Sequence, residues 1–172
     1  CPEAPDNIAA CMRHGDAAAT AMAFAGAAHT VSLDLVNQRL APSPMEPRSV
    51  RAEIDAASGR LHVHLSSQMP TGVLKSLCAA IPGLSVEQVR VTVGDVGGGF
   101  GMKTAIYPED IVVAYAAHTL RRPVKWQPDR SDEFASAYHG RDVVSHAEMA
   151  LDANGRVLAL RVRSYANVGA YA

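Results

Sequence analysis

The sequence predicts an α+β domain in which a mixed β-sheet, made of β-hairpins, packs against two or three helices. Three observations lead there. Apolar residues alternate in short pairs of segments separated by turn sequences, as in Val50, Ala52 and Ile54 followed by Leu61, Val63 and Leu65. Two other segments repeat apolar residues at helical spacing. The length of 172 residues suits one globular domain or two small ones.

In chain order, residues 1–15 hold two prolines, Asn7 and Gly15 without a sustained period, and are expected to be an irregular lead-in. The rest, 16–172, is expected to form a single α+β subdomain. Asp16 is an N-cap for the Ala-rich stretch Ala17 to Ala28, and alternation at Val31, Leu33 and Leu35 marks a strand. Three prolines between Pro42 and Pro47 make an ordered but irregular connection, because proline fixes φ and removes a donor. A hairpin then runs from Val50 to Leu65 around Ala56-Ala57-Ser58-Gly59. Val73, Leu74, Leu77, Cys78 and Ile81 share one helix face, ended by Pro82-Gly83, and Val89, Val91 and Val93 form another strand. Pro108, with Glu109 and Asp110 beside it, opens a helix through Ile111, Ala114, Tyr115 and His118, closed by Arg121-Arg122-Pro123. A second hairpin, Val143 to Leu151 and Val157 to Val162, turns at Asp152-Ala153-Asn154-Gly155.

Composition removes several classes of function. A formal charge of -1 without a basic run gives no electrostatic footprint for nucleic acid. Apolar runs such as Ile111 to Ala117 fall far short of the ~20 residues that a bilayer span needs. Cys1, Cys11 and Cys78 are odd in number and lack metal-ligand spacing, so a reducing, cytoplasmic setting is expected rather than a disulfide framework or a zinc site. The chain opens Cys1-Pro2-Glu3 and stops at Gly169-Ala170-Tyr171-Ala172, which reads as part of a longer polypeptide.

The most informative stretch is Gly94 to Lys103, where a Val-alternating strand ends in Gly97-Gly98-Gly99-Phe100-Gly101-Met102-Lys103. Glycines there allow close backbone approach and can expose consecutive N–H groups as a nest for an oxyanion. It is not a P-loop: Val96 takes the first glycine position, and Met102 separates Gly101 from Lys103. A dinucleotide fingerprint counted from Gly97 and Gly99 would need glycine at position 102, which is Met. Ser66-Ser67-Gln68 also stands at a strand end before a helix. If the two strands run parallel in one sheet, the Gln68 amide and the Gly97 to Gly101 backbone share a rim and face an oxygen-rich guest. The plainer readings are a tight turn under a packed Phe100, and a Gln68 that caps the following helix or is a satisfied buried amide.

These pieces together resemble the molybdenum-binding large subunit of the xanthine dehydrogenase, aldehyde oxidase and carbon monoxide dehydrogenase family. The matching segments are Asn37-Gln38-Arg39, Pro44-Met45-Glu46-Pro47-Arg48, Ser66-Ser67-Gln68, Gly97 to Lys103, Arg122-Pro123-Val124-Lys125, Asp129-Arg130 and Asn167-Val168-Gly169-Ala170-Tyr171. The resemblance implies a molybdenum-molybdopterin cofactor, in its cytosine dinucleotide form in many bacterial members, and hydroxylation of a carbon beside a nitrogen or carbonyl. Electrons would leave through iron-sulfur centres to FAD on partner subunits or domains. Carried over by position, Gln68 donates to the metal oxo group, Phe100 walls the substrate side, and Gly98, Gly99, Phe100 and Gly101 contact the cofactor. No residue here ligates the metal directly.

The family's catalytic glutamate lies beyond Ala172, and Glu46, Glu53, Glu87, Glu109, Glu133 and Glu148 lack its context. This piece alone is therefore expected to be inactive, to hold no cofactor and to expose apolar surface that favours self-association. Thr104 stands where xanthine-oxidising members carry a substrate-contacting Glu, which disfavours a purine. Two alternatives from other classes stay open: a noncatalytic small-ligand or anion-binding domain using the Gly-rich turn, and a structural interaction module. Among the remaining residues, His62 and His64 are expected to face solvent, Glu46 to pair with Arg48 or bind open backbone groups, and Trp126 to lie in a core or interface. Lys103 is read either as a surface or sheet-end lysine or as a group steadying an anionic cofactor edge.

Overall fold

Strand pairing sorts the chain into two sheets, both in α+β surroundings. The computed structural model describes residues 5–169. The first four residues of the lead-in and the Ala170-Tyr171 end of the last matching segment lie outside the described residues.

Residues Arg39–Arg141 form one compact unit. Strands β2 (Val50–Ile54) and β3 (Leu61–Leu65) make the expected hairpin, with Val50 opposite Leu65 and Ile54 opposite Leu61. Helix α2 (Pro70–Ala80) carries the chain over to β4 (Val89–Thr92), which runs parallel to β3 with Leu61 beside Val89. A parallel neighbour requires such a crossover, and its consequence is that β3 and β4 end on the same edge. The sheet order is β4-β3-β2-β5, with β5 (Val124–Trp126) antiparallel to β2. Alternation puts Val50, Ala52, Leu61, Val63, Leu65 and Val89 on one buried face. Val73 and Leu77 of α2, with Val113, Ala114 and Ala117 of α3 (Pro108–Leu120), close that core.

The ends of α3 follow its chemistry. Pro108 sits in the first turn, the Asp110 carboxylate accepts the Tyr107 N–H at 3.0 Å, and Arg121 ends the helix in a left-handed conformation with φ 54°. Past β5, Asp129 caps α4 (Arg130–Ser136), a short helix with Asp129 Oδ1 accepting the Asp132 N–H. The sequence reading assigns neither β5 nor α4. Trp126 is partly buried against the core, as expected.

The second unit joins residues up to Gln38 with those from Asp142. Asp16 caps α1 (Ala17–Ala25) by accepting the Ala19 N–H, and the helix stops at Gly26, three residues short of β1 (His29–Asn37). Strand β1 pairs antiparallel with β6 (Val143–Leu151), which pairs with β7 (Val157–Ala166). Arg161 reaches from one sheet face to the Phe24 ring of α1 at 4.4 Å. On the opposite face, Val31, Leu33, Leu35, Leu160 and Val162 stay 47% to 56% exposed, so an apolar sheet surface lies open. The α+β class holds, with its strands divided between a three-stranded antiparallel and a four-stranded mixed sheet. No helix among the described residues is long and apolar enough to cross a membrane.

Candidate functional site

The parallel pairing of β3 and β4 brings Ser66-Ser67-Gln68 and the Gly-rich turn onto one sheet edge, where they meet. Gln68 Oε1 accepts the N–H groups of Gly101 and Lys103, each at 3.2 Å, and the Gln68 N–H donates to the Lys103 carbonyl at 2.8 Å. Two backbone donors on one oxygen fix the amide's orientation. Its Nε2 has no protein acceptor among the described residues.

The turn itself is shaped by three left-handed residues, Gly98 (φ 97°), Phe100 (φ 52°) and Gly101 (φ 89°). Gly99 is fixed by contact rather than by φ: a Cβ there would lie 2.4 Å from Gln68 Oε1. At Gly97 a Cβ would stand 2.6 Å from the Glu46 Cβ. Phe100 pays no comparable debt to the core, since its ring is 74% exposed while its backbone occupies a region that costs an L-residue about 1 kcal/mol or more. The Met102 N–H donates to the Gly99 carbonyl at 3.0 Å, and the buried Met102 side chain with the Tyr107 hydroxyl on its carbonyl anchors the turn inward. The N–H groups of Gly98, Gly99 and Phe100 donate to no acceptor among the described residues, and Gly99 lies against the Gln68 side chain.

Of the two expectations for Glu46, binding a backbone group is met at Gly97 and pairing with Arg48 is not. It pairs not with Arg48 but with Lys103, whose Nζ lies 2.8 Å from Glu46 Oε2 and 2.8 Å from the Glu46 carbonyl. The same Oε2 accepts the Ser66 hydroxyl at 2.6 Å and the Gly97 N–H at 2.9 Å. Burial pushes the Glu46 carboxyl up, but the Lys103 ammonium, Ser66 and Gly97 outweigh it and hold the group below its usual value. Lys103 is neither a surface lysine nor free to steady a cofactor edge, because it is buried and its ammonium is held by Glu46.

Arg48 turns the other way. Its guanidinium bonds Glu133 at 3.2 Å and the Ser136 hydroxyl at 2.6 Å, and lies 3.6 Å over the Tyr107 ring. Burial raises the Tyr107 phenol, and burial likewise pushes Asp110 to about 6. A polar cavity of ≈ 10 Å³, room for about one water, lies between these groups and Ser66, Ser67 and Lys103. His62 and His64 share the Thr92 hydroxyl at 2.7 and 3.0 Å rather than standing free, and His62 is only half-exposed. Thr104 donates its hydroxyl to the Gly101 carbonyl at 2.7 Å. Among the described residues no group of three His, Cys, Asp or Glu side chains could hold a metal ion. The site is thus a row of neutral N–H donors suited to the oxygens of an organic group, and it fits a metal carried by a cofactor rather than by protein ligands.

The α+β unit carries these donors at a parallel-strand edge, and the sequence places the chain in a class. The chain belongs to the molybdopterin cofactor-binding domain family, whose profile matches residues 1–172. It is 37% identical over 155 residues to the gamma subunit of the 6-hydroxypseudooxynicotine dehydrogenase complex of Paenarthrobacter nicotinovorans, covering 87% of this chain and 18% of that one. With the carbon monoxide dehydrogenase large chain of Hydrogenophaga pseudoflava it shares 36% identity over 91% of this chain and 19% of the relative. Among solved structures, carbon monoxide dehydrogenase from Oligotropha carboxidovorans superimposes with a TM-score of 0.78 at 30% identity, over 88% of this chain and 19% of that one. Quinoline 2-oxidoreductase from Pseudomonas putida 86 does so with a TM-score of 0.74 at 34% identity, over 86% and 19%. The chain therefore spans about a fifth of the length of these relatives.

Proposed function

We propose that these residues form one wall of the molybdenum site in the large subunit of a hydroxylase acting on aldehydes or N-heterocycles, or oxidising carbon monoxide. The observation that carries this is the Gln68 side-chain carbonyl held by the Gly101 and Lys103 N–H groups, while its Nε2 and the N–H groups of Gly98 to Phe100 have no protein acceptor among the described residues. The molybdenum cofactor, when bound, supplies the two-electron oxidation and the oxygen transfer. Gln68 Nε2 donates to an oxygen of that group, the Gly98, Gly99, Phe100 and Gly101 backbone lies along its edge, and the Phe100 ring excludes water from the substrate side. These donors are preorganised, so no reorientation is required during reaction.

The proton acceptor comes from elsewhere in the subunit. Glu46 is held by Lys103, Glu133 by Arg48, Glu53 by Arg51 and Glu148 by Arg161, so none of these four is free at the site. The 172 residues alone are expected to be inactive and to hold no cofactor, and their open sheet face favours self-association. Electrons pass to iron-sulfur and FAD-bearing partner subunits or domains. The cofactor is the cytosine dinucleotide form, and the protein is cytoplasmic. Molybdenum and pterin analysis of the full-length subunit purified with its partners tests the proposal: stoichiometric amounts of both are expected. Their reproducible absence from folded, complete protein would overturn it.

A further inference from the structure

One oxygen atom ties together all three segments that build the site. Glu46 Oε2 accepts from Gly97 at the start of the turn, from Lys103 Nζ at its end, and from Ser66, two residues before Gln68. The Glu46 backbone adds a second set of ties, donating to the Gly97 carbonyl at 3.1 Å and accepting Lys103 Nζ at 2.8 Å. Between Gly97 and Lys103 the chain is neither helix nor strand and contains four glycines, so without these ties it would sample many conformations. The Lys103 ammonium is fully buried, with only Glu46 to neutralise it among the described residues. Removing Glu46 leaves that buried charge without compensation, whereas removing Lys103 takes one tie off a carboxylate that is over a third exposed.

We propose that Glu46, through its ion pair with Lys103, is a positioning residue that holds the Gly98 to Phe100 donors and the Gln68 amide in register for the cofactor. This rests on the molybdenum-site reading above. Glu46 itself touches no cofactor. It acts by fixing both ends of the turn and the strand end that carries Gln68. Partners behind a metal-site ligand typically change metal affinity 10 to 100-fold when lost, and a change of that order is expected here.

The test uses the full-length subunit with its partners, in wild type, Glu46→Gln, Lys103→Met, the Glu46→Gln/Lys103→Met pair, and Glu133→Gln as a control for the loss of a buried ion pair elsewhere in the same unit. The readouts are amide exchange of the 97–103 peptide, molybdenum per chain and melting temperature. Glu46→Gln and Lys103→Met are expected to exchange that peptide faster and to retain roughly tenfold less molybdenum. Glu133→Gln should melt lower while keeping its molybdenum and its protected turn. If the single variants do not accumulate, the paired variant, which buries no lone charge, is expected to fold and still lose molybdenum. Equal molybdenum loss in Glu133→Gln at a similar melting temperature, or full molybdenum in the paired variant, would overturn the proposal. Wild-type protein without molybdenum would instead overturn the underlying function and leave the exchange result to judge the clamp.

Discussion

Glu46 and Arg48 flank one proline, yet they serve opposite sides of the same unit. Glu46 faces the edge where the turn and Gln68 meet and is over a third exposed, whereas Arg48 points inward to Glu133, whose side chain is wholly buried. Pro47 fixes its own φ and biases Glu46 toward extended backbone, so the stretch between the two side chains is restrained. The contrast separates two tasks that sit two residues apart: one ion pair organises the site, and the other organises the interior that supports it.

Three substitutions sharpen that contrast. The largest effect is expected from Arg48→Met, which strands the Glu133 carboxylate in the interior and should cost about 3 to 5 kcal/mol in thermal or denaturant unfolding. The exchange rate of the 97–103 peptide should change little below the transition. Fast exchange there in this variant would merge the two networks into one.

Asp110 belongs to the Arg48 side and titrates. Its folded-state value of about 6 lies above its ordinary 3.8, so its protonated form stabilises the fold at acid pH, and that contribution is lost as pH rises through about 6. Asp110→Asn keeps the acceptor for the Tyr107 N–H and removes the titration. It should therefore match wild type near pH 4 and exceed it by about 2 kcal/mol near pH 8, as read by denaturant unfolding at both values. A gain equal at both pH values would show that the carboxyl does not carry the effect.

Gly99→Ala is expected to do the reverse of Arg48→Met. Its Cβ would meet Gln68 Oε1 at 2.4 Å, so the amide must swing away while the core is untouched. Stability should fall by only about 1 kcal/mol, with molybdenum retention falling far more. Unchanged molybdenum in a folded Gly99→Ala subunit would detach the turn from the cofactor.

Much of this arrangement was legible from residue order. Alternation at Val50 to Ile54, Leu61 to Leu65 and Val89 to Val93 located three of the four strands of the larger sheet, while the parallel run of the last two stood only as a condition, which their pairing meets. On that condition Gln68 and the Gly-rich turn share an edge, as they do. The partners of Glu46 and Arg48 were not legible. Lys103 lies 57 positions from Glu46 and Glu133 lies 85 from Arg48, distances over which spacing carries no information. Strand β5 has three residues and α4 has seven, too short for a period to emerge, although the Asp129 and Asp132 pair was a capping signal in plain view. The helix at α1 was expected to reach Ala28 because alanine runs carry no stop, whereas Gly26 ends it.

The most direct test is a high-resolution structure of the complete, cofactor-loaded subunit. The account predicts Gln68 Nε2 and at least one N–H of Gly98, Gly99 or Phe100 within hydrogen-bond distance of the cofactor, with Gln68 Oε1 still on Gly101 and Lys103. A cofactor seated away from this edge, with the Gln68 amide facing solvent, would contradict it.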